Sequence, residues 1–457
     1  MRFYHVTSAL CYLLFKEIVI LCICCYNSSG ESSLSDANSL LMLFTLCRHG
    51  DRSPLHSLPN DPFVKHWVDG LGQLTDRGAQ QLMTVGKFFR ENYPNFISRS
   101  FHKDEVFFRS SATDRTLMSA NYFARGLYPD QHTWIPPIYS VPLYDDHLLK
   151  MSSHCPEYFR QCQEVLNRSI SSRLLGAHDD VFRLLQTEFG ELLPKKPTAV
   201  DMIKAGWKLC DVIYVWFIHQ LPSLPEWLDQ RLVTQCERLL DYKQSVCFEK
   251  HGLTRYRGGP LAAHIFRALH FRSLATLRSG SSSLHHPLPL QNEAYTLSDR
   301  DMSKLRLVAY FAHDSTLAAL MIHLGVHNGR APPLASCLIT ELHHIPKESQ
   351  RFFVRFLFLN GTDQNKRDIH YLRPPMCRPV SRTSANNHLC ALSTLESSLF
   401  GTYAVDIHSV CQTTTTATRT GAQKPNDDCQ HPKFWAIIVL QSFVLVFMLK
   451  RFALPFR

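Results

Sequence analysis

The stretch LLMLFTLCRHGDRSP, residues 40–54, decides the fold. It opens with a short apolar run, Leu40–Cys47, bounded by polar residues, which predicts a buried β-strand. Arg48, His49 and Arg52 follow the run directly. Because like charges repel one another when they are crowded together, we expect an anion to lie among these side chains.

Helix and strand patterns alternate on both sides of a long central segment. The segment GQLTDRGAQQLMTVGKFFREN, residues 72–92, predicts a helix with Thr75 as its N-cap. DEVFFRSS (104–111) and LRLVAYFA (305–312) predict strands. Each is followed by a predicted helix, and RFFVRFLFLNGT, residues 351–362, alternates like a late strand. This alternation predicts a protein of the α/β class.

The central segment differs from its flanks. From about residue 136 to residue 303 helical patterns dominate, separated by prolines and by a serine-rich loop. The simplest organisation is one α/β domain, formed by residues 38–135 and 304–411 and interrupted by a mainly helical cap over 136–303. The polar segment 412–433, with its threonine run, predicts a stalk.

Both ends of the chain carry apolar segments. Residues 1–30 resemble a secretory signal peptide, with a signal anchor as the alternative, because Lys16 and Glu17 interrupt the apolar core. Residues 434–449 are uncharged and predict a transmembrane helix, with a buried core helix as the alternative. Basic residues in the tail, 450–457, would place it in the cytosol. We therefore expect a single-pass type I membrane protein of the secretory pathway, in the lysosome or at the cell surface, with a lumenal or extracellular body.

The composition limits the classes of function that fit the chain. The chain has 457 residues and a formal net charge of +10, which suits an anionic substrate. It has no long basic run and no zinc-finger spacing, so we do not expect nucleic-acid binding. Beyond Cys47 the body contains ten cysteines, none of them in a Cys-x-x-Cys pair, which favours disulfides over a zinc site. Asn167 and Asn360 begin glycosylation sequons.

Three predicted strand ends carry charged side chains that can form one site. Ligands of a parallel sheet bind at the carboxyl ends of its strands, and there the sequence places Arg48, His49 and Arg52, then Arg109, then His313 and Asp314. Guanidinium groups bind phosphate oxygens in a bidentate manner. A histidine among arginines stays neutral and can act as a nucleophile or a base. The alternatives are a basic surface loop at 48–52 and a helix N-cap role for Asp314.

Four motifs resemble one family when they are taken in order. RHGDRSP, GLGQLTDRGAQQL, FFRSSATDRTLMSA and YFAHDSTLAAL are similar to segments of the histidine acid phosphatases of the lysosomal and prostatic type, and the resemblance covers roughly residues 40–411. It implies a phosphoglycerate-mutase-like fold, which is α/β with a doubly wound mixed sheet and an inserted helical cap. It also implies a homodimer and a reaction without a metal or other cofactor. The cap segment 160–250 departs from the family, which leaves the natural substrate open.

The resemblance implies a role for each candidate residue. His49 would attack the phosphorus of a phosphate monoester and form a phosphohistidine, and Asp314 would protonate the leaving alcohol. Arg48, Arg52, Arg109 and His313 would bind the phosphoryl oxygens. An acid optimum is expected, because Asp314 must be protonated to act as the acid.

The family's disulfide pattern maps onto this chain as Cys155–Cys411, Cys210–Cys337 and Cys377–Cys390. This leaves Cys162, Cys236, Cys247 and Cys429 unassigned, with Cys236–Cys247 as a candidate local pair. Four alternatives to an acid phosphatase stay open: a phytase, a lysophosphatidate phosphatase, a metal-dependent hydrolase and a membrane glycoprotein that keeps the fold without catalysis.

Overall fold

The computed structural model describes residues 39–131, 135–150, 155–167, 170–249, 253–277, 301–348, 351–361, 368–377, 388–403 and 411. The predicted signal, stalk, membrane span and tail (1–30, 412–433, 434–449 and 450–457) lie outside these residues. Among the helices within them, none is long and apolar enough to cross a bilayer.

A central mixed sheet organises the molecule. Its strands are β1 (Leu40–Arg48), β2 (Val106–Ser111), β3 (Ile138–Val141), β4 (Leu307–Ala312), β5 (Cys337–His344), β6 (Phe352–Asn360), β7 (Asp368–Leu372) and β8 (Cys390–Ala391). The order is β3-β2-β4-β1-β5-β6-β7, with β8 paired to β6. Strands β1 to β4 pair in parallel, and β5 to β8 are antiparallel to their neighbours.

The parallel strands are buried on both faces. Every residue of β2 and of β4 is buried, which is the pattern of strands covered by helices above and below. The described helices are α1 (Asp76–Asn92), α2 (Asp114–Leu127), α3 (Pro156–Leu166), α4 (Ile170–Ala177), α5 (Asp179–Thr187), α6 (Ala199–Ile218), α7 (Gln230–Ser245), α8 (Thr254–Leu277), α9 (Asp314–His323) and α10 (Leu392–Tyr403). Helices α1 and α2 cover one face, and α8, α9 and α10 cover the other. The predicted doubly wound α/β fold is confirmed.

Helices α1 and α2 approach each other closely at two glycines. A Cβ atom on Gly86 would lie 2.0 Å from the carbonyl oxygen of Phe123, and one on Gly126 would lie 2.0 Å from that of Met83. Backbone atoms cannot move away as a flexible side chain can, so these positions require glycine. The contact fixes α2, whose first turn carries the charged residues Asp114 and Arg115.

The regular elements that the structure describes between β3 and β4 are all helices. Helices α4 to α7 surround an apolar cluster that includes Ile213 and Trp216, and α3 contributes to a second cluster around Tyr158. Helix α8, in contrast, packs on the sheet through residues such as Leu261 and Ile265. Strand β3 also lies within the segment 136–303, at the edge of the sheet. The exact bounds of the cap therefore stay a prediction.

The structure joins ten cysteines in five pairs within the described residues. Cys155–Cys411 and Cys377–Cys390 are the pairs that the resemblance implied. The implied pair Cys210–Cys337 is wrong, and so is the local pair Cys236–Cys247, because these four cysteines have other partners. The bonds formed instead are Cys47–Cys337, Cys210–Cys236 and Cys162–Cys247.

The reason lies in the packing of the elements. Cys47 and Cys337 are register partners on the neighbouring strands β1 and β5, with their Cα atoms 4.1 Å apart. Cys210 and Cys236 lie on the packed helices α6 and α7. Pairs that are this close in the fold cannot be deduced from the spacing of the cysteines along the chain.

Candidate active site

The loop after β1 is held by its backbone. The His49 amide donates to the Ala312 carbonyl (3.0 Å), and the His49 carbonyl accepts from the Ala335 amide (3.0 Å). The Gly50 amide donates to Ser119 Oγ at 3.1 Å. A Cβ on Gly50 would lie 2.3 Å from the Gly78 carbonyl oxygen, so the loop lies directly against the start of α1. This start is capped by Thr75, as the sequence predicts.

His49 is buried and neutral. Its Nδ1 lies 2.8 Å from the Gly50 carbonyl oxygen. A carbonyl only accepts hydrogen bonds, so Nδ1 carries the proton and Nε2 keeps its lone pair. Burial lowers the pKa of His49 well below its ordinary value, and the positive charges of Arg48, Arg115 and Arg52 lower it further. A neutral imidazole with a basic Nε2 is a competent nucleophile.

Asp314 forms an ion pair with Arg48 across the site. An oxygen of Asp314 lies 3.3 Å from Arg48 Nη2, and the Asp314 side chain is 29% exposed. Burial opposes ionisation, yet the charges of Arg48, then Lys243, hold the pKa of Asp314 well below its usual range. The N-cap residue of α9 is His313, so the carboxylate of Asp314 is not the cap that the alternative interpretation required.

Arg52 is fixed by a carboxylate from the helical segment. Its guanidinium donates to both oxygens of Asp211 on α6, at 2.6 and 3.3 Å. Asp211 also accepts from the Leu55 amide at 2.9 Å, so one side chain orients both the arginine and the loop. Burial would lower the pKa of Arg52, but Asp211 raises it above its ordinary value. Arg52 is therefore a fixed positive charge next to His49.

His313 lies beside His49, with the ring centroids 5.6 Å apart. Its Nδ1 is 3.4 Å from Arg115 Nη2, and its Nε2 is 3.0 Å from Ser111 Oγ. Arginine only donates, so Nδ1 accepts and Nε2–H donates to the serine. Burial lowers the pKa of His313 well below its ordinary value, and the charge of Lys150 adds to the effect. His313 is therefore neutral, with its tautomer fixed.

Arg115 is a site residue that the sequence reasoning missed. Its guanidinium reaches His313 from the first turn of α2, and its Nη1 donates to the Gly72 carbonyl at 3.4 Å. Burial and the charge of Arg52 lower the pKa of Arg115 to about 10, so it remains a cation at neutral pH. The sequence did offer a signal for Arg115, because it lies shortly after a predicted strand and in the first turn of the helix that follows.

Arg109 occupies a different environment from the one expected. Strand β2 continues to Ser111, so Arg109 lies inside the strand and not just past its end. Its side chain is 1% exposed and donates to Asp146 at 2.8 Å, and its guanidinium lies 5.5 Å from the Tyr310 ring centroid. The placement of Arg109 beyond the strand end is therefore wrong. Arg48, His49, Arg52, His313 and Asp314 do come together as expected.

Metal ligands show no comparable grouping. Over the described part of the chain, no set of three or more histidine, cysteine, aspartate or glutamate side chains is arranged to hold a metal ion.

This fold and this cluster of arginines and histidines define a class of protein. The chain belongs to the histidine phosphatase superfamily (branch 2), which it matches over residues 39–359. It is similar to the lysosomal acid phosphatase of Xenopus laevis, with 30% identity over 395 residues that cover 83% of this chain and 81% of the relative. It is also similar to the prostatic acid phosphatase of Bos taurus, with 29% identity, 75% of this chain and 82% of the relative.

Solved structures agree on the fold. The phytase of Hafnia alvei in complex with myo-inositol hexakis sulphate has a TM-score of 0.56 to this chain and covers 82% of it, with 98% of the phytase included. The two sequences are 16% identical, so this likeness shows the fold alone.

Proposed function

We propose that the protein is an acid phosphatase that hydrolyses phosphate monoesters to an alcohol and inorganic phosphate, with His49 as the nucleophile. The family and the acid phosphatase relatives support the activity. One observation carries the mechanism: His49 is neutral, has its tautomer fixed by Gly50, and is surrounded by three arginines. An anion with several oxygen atoms fits between these cations, and a phosphoryl group is such an anion.

The reaction has two balanced steps. In the first, the lone pair of His49 Nε2 attacks phosphorus, the P–O bond to the alcohol breaks, and Asp314 gives its proton to the departing oxygen. In the second, water attacks the phosphohistidine, Asp314 takes a proton from that water, and the P–N bond breaks. Phosphate leaves and His49 returns to its neutral form. The same carboxyl group thus acts as acid and then as base.

The cations stabilise the charge that develops on the phosphoryl oxygens. We assign this role to Arg48 and Arg52, and to Arg115 in place of Arg109, because the guanidinium of Arg109 is buried against Asp146. Neutral His313, whose ring nitrogens contact Ser111 and Arg115, is proposed to line the phosphate site beside them. Preorganised donors of this kind are each worth on the order of 10²–10³ in rate.

Substrate binding would also raise the pKa of Asp314, the proton donor. In the free protein Arg48 keeps Asp314 ionised. A phosphate dianion placed beside Arg48 offsets that positive charge and adds a negative one, so the pKa of Asp314 rises when substrate binds. Activity should therefore increase as the pH falls, until the substrate loses its second negative charge.

The cellular setting follows from the disulfides and the relatives. Five disulfides within the described residues are typical of an oxidising compartment, and the similar proteins include lysosomal acid phosphatases. We place the protein in the secretory pathway and its lysosomes, or at the cell surface, anchored by residues 434–449. Asn167, which is exposed, and Asn360 are the proposed glycan sites, and a homodimer is the proposed assembly.

The test is hydrolysis of p-nitrophenyl phosphate by the full chain in mild detergent, between pH 4 and 8, with and without a chelator. The expected result is chelator-resistant activity at acid pH that His49→Ala abolishes. Exposed His102→Ala is the matched control and should keep wild-type activity. If folded wild-type protein were inactive on this and several other monoesters, a non-catalytic glycoprotein would become the better interpretation.

A further inference from the structure

A second group of cations borders the site and is not assigned to the cleaved phosphoryl group in the mechanism above, although two of its members lower the pKa of His313 and of Asp314. It consists of Lys150, Lys243 and Arg257, which we call the outer cations. Lys150 follows β3, Lys243 lies on α7 and Arg257 lies in the first turns of α8. Lys150 acts electrostatically on His313, Lys243 acts on Asp314, and Arg257 acts on Lys150, so three distant parts of the chain bring positive charge to the border of the site.

Lys150 is the member closest to the catalytic residues. The carbonyl of its neighbour Leu149 accepts from Thr316 Oγ1 at 2.8 Å, which ties this loop to the first turn of α9, where Asp314 lies. Lys150 is half-buried, and its ammonium has no hydrogen-bond or carboxylate partner in the described part of the structure. A half-buried lysine without a partner is costly. An anionic ligand beside it would offset that cost.

Lys243 and Arg257 lie within electrostatic range of Lys150. Both lower the pKa of Lys150, although burial is the larger cause. The ammonium of Lys243 lies 5.9 Å from the Trp207 ring centroid, and the Arg257 guanidinium lies 5.5 Å from that of Tyr158. Aromatic faces position these cations but do not neutralise them.

The helix that carries Lys243 is linked to the catalytic loop. The Ala331 amide donates to Asp241 Oδ1 at 2.7 Å, and the next residue, Pro332, accepts from Arg48 Nη1 at 2.6 Å. Asp241 also pairs with Arg330 at 2.6 Å, so it does not neutralise Lys243. These contacts join helix α7, which carries Lys243, to the segment that orients Arg48.

The cleaved phosphate does not need these charges. Arg48, Arg52 and Arg115 are opposed by the two carboxylates of Asp211 and Asp314. When Asp314 is protonated for catalysis, these three arginines and two aspartates together carry a net positive charge that one phosphate dianion balances. Among the residues that the structure describes, none of the outer cations forms an ion pair with a carboxylate.

We infer that Lys150, Lys243 and Arg257 form a subsite for a second phosphate group of the same substrate. This inference rests on the proposed phosphatase function and specifies its substrate class: organic molecules that carry at least two phosphate groups. The subsite would bind the phosphate that is not cleaved and hold the other one against His49. Binding energy from such a remote group can increase the rate at the reacting group.

The experiment compares fructose 1,6-bisphosphate with fructose 6-phosphate, with p-nitrophenyl phosphate as the reference substrate. Wild-type kcat/KM should be on the order of tenfold higher for the bisphosphate, the size expected for a charged hydrogen bond. The variant Lys150→Met/Lys243→Met/Arg257→Met should abolish this preference. Because Lys150 and Lys243 also act on the pKa of His313 and of Asp314, the readout is the ratio of kcat/KM for the two sugar phosphates, which a change in those pKa values alone leaves unchanged. Added salt should raise KM more steeply for the bisphosphate.

Lys204→Met is the matched control, because Lys204 is an exposed lysine on α6 that donates to Gln163 at 3.1 Å. It should keep the preference. The exposed single variant Lys243→Met tests the idea even if the triple variant does not fold. A wild-type enzyme without preference, or equal losses on all three substrates, would overturn the subsite. Absence of p-nitrophenyl phosphate hydrolysis by the wild type would instead overturn the phosphatase function itself.

Discussion

Replacing Arg115 by methionine separates its role from that of Arg109. Arg115 Nη2 lies 3.4 Å from His313 Nδ1, its charge lowers the pKa of His49, and it interacts electrostatically with Asp314. Because no carboxylate contacts it among the described residues, an anion is the partner that it lacks. We expect Arg115→Met to lower kcat/KM on the order of 10²–10³, or about 3–4 kcal/mol of transition-state stabilisation. The free energy of unfolding should change little, because a repulsion with Arg52 disappears.

Arg109→Met is the contrasting variant. It would leave Asp146, which is fully buried, without its ion-pair partner. Breaking a buried pair on one side costs about 3–5 kcal/mol of folding stability. Activity per folded molecule should fall much less than in Arg115→Met.

The assay combines steady-state kinetics on p-nitrophenyl phosphate, the inhibition constant of inorganic phosphate, and denaturant unfolding of both variants. Arg115→Met should weaken phosphate inhibition, and Arg109→Met should mainly shift the unfolding midpoint. If Arg115→Met bound phosphate as tightly as the wild type while Arg109→Met lost that binding, our assignment of the two arginines would be refuted.

Three further outcomes are expected. Asp314→Asn should slow alkyl phosphates far more than p-nitrophenyl phosphate, whose leaving group needs little protonation; equal slowing would contradict the acid role. Burial lowers the pKa of His264 to about 3. Between pH 6.5 and pH 3 the unfolded chain therefore carries a proton on this histidine that the folded chain does not. Acidification towards pH 3 should then lower the free energy of unfolding by about 1.4 kcal/mol per pH unit, a slope that His264→Phe reduces. Non-reducing peptide mapping should recover Cys47 linked to Cys337, a bond whose removal costs about 2–5 kcal/mol.

The sequence predicted the parallel part of the sheet better than the rest. Strands β1 and β4 are almost continuous apolar runs and β2 begins with one, because parallel strands are covered on both faces. Strand β5 carries Glu341 in its interior, which an apolar pattern would not suggest. Its carboxylate accepts from Tyr93 at 2.7 Å and pairs with Arg355, so the cost of burial is offset by residues far away in the chain. Such compensation is invisible before the fold is known.

The sequence predicted those site residues that lie next to a strand end visible in the local pattern. His49 directly follows β1, and the pair His313–Asp314 directly follows β4; the ends of both strands are clear in the sequence. Arg109 and Arg115 lie in one short segment, and the choice between them depends on which guanidinium reaches the site. Three-dimensional packing decides that point, since Arg109 is drawn into the interior by Asp146, which lies 37 residues further along the chain.

The position of β1 in the sheet has a consequence for biosynthesis. This strand is the first described element of the chain, yet its neighbours β4 and β5 are made only after the whole helical segment. The separation from Arg48 to the end of β5 is roughly 300 residues, which takes roughly 15–60 s at ordinary rates of translation. During that interval the apolar strand β1 has no neighbouring strand and Cys47 has no disulfide partner. The nascent chain is therefore an expected client of chaperones and of disulfide isomerases, and its yield should depend on them more than its final stability does.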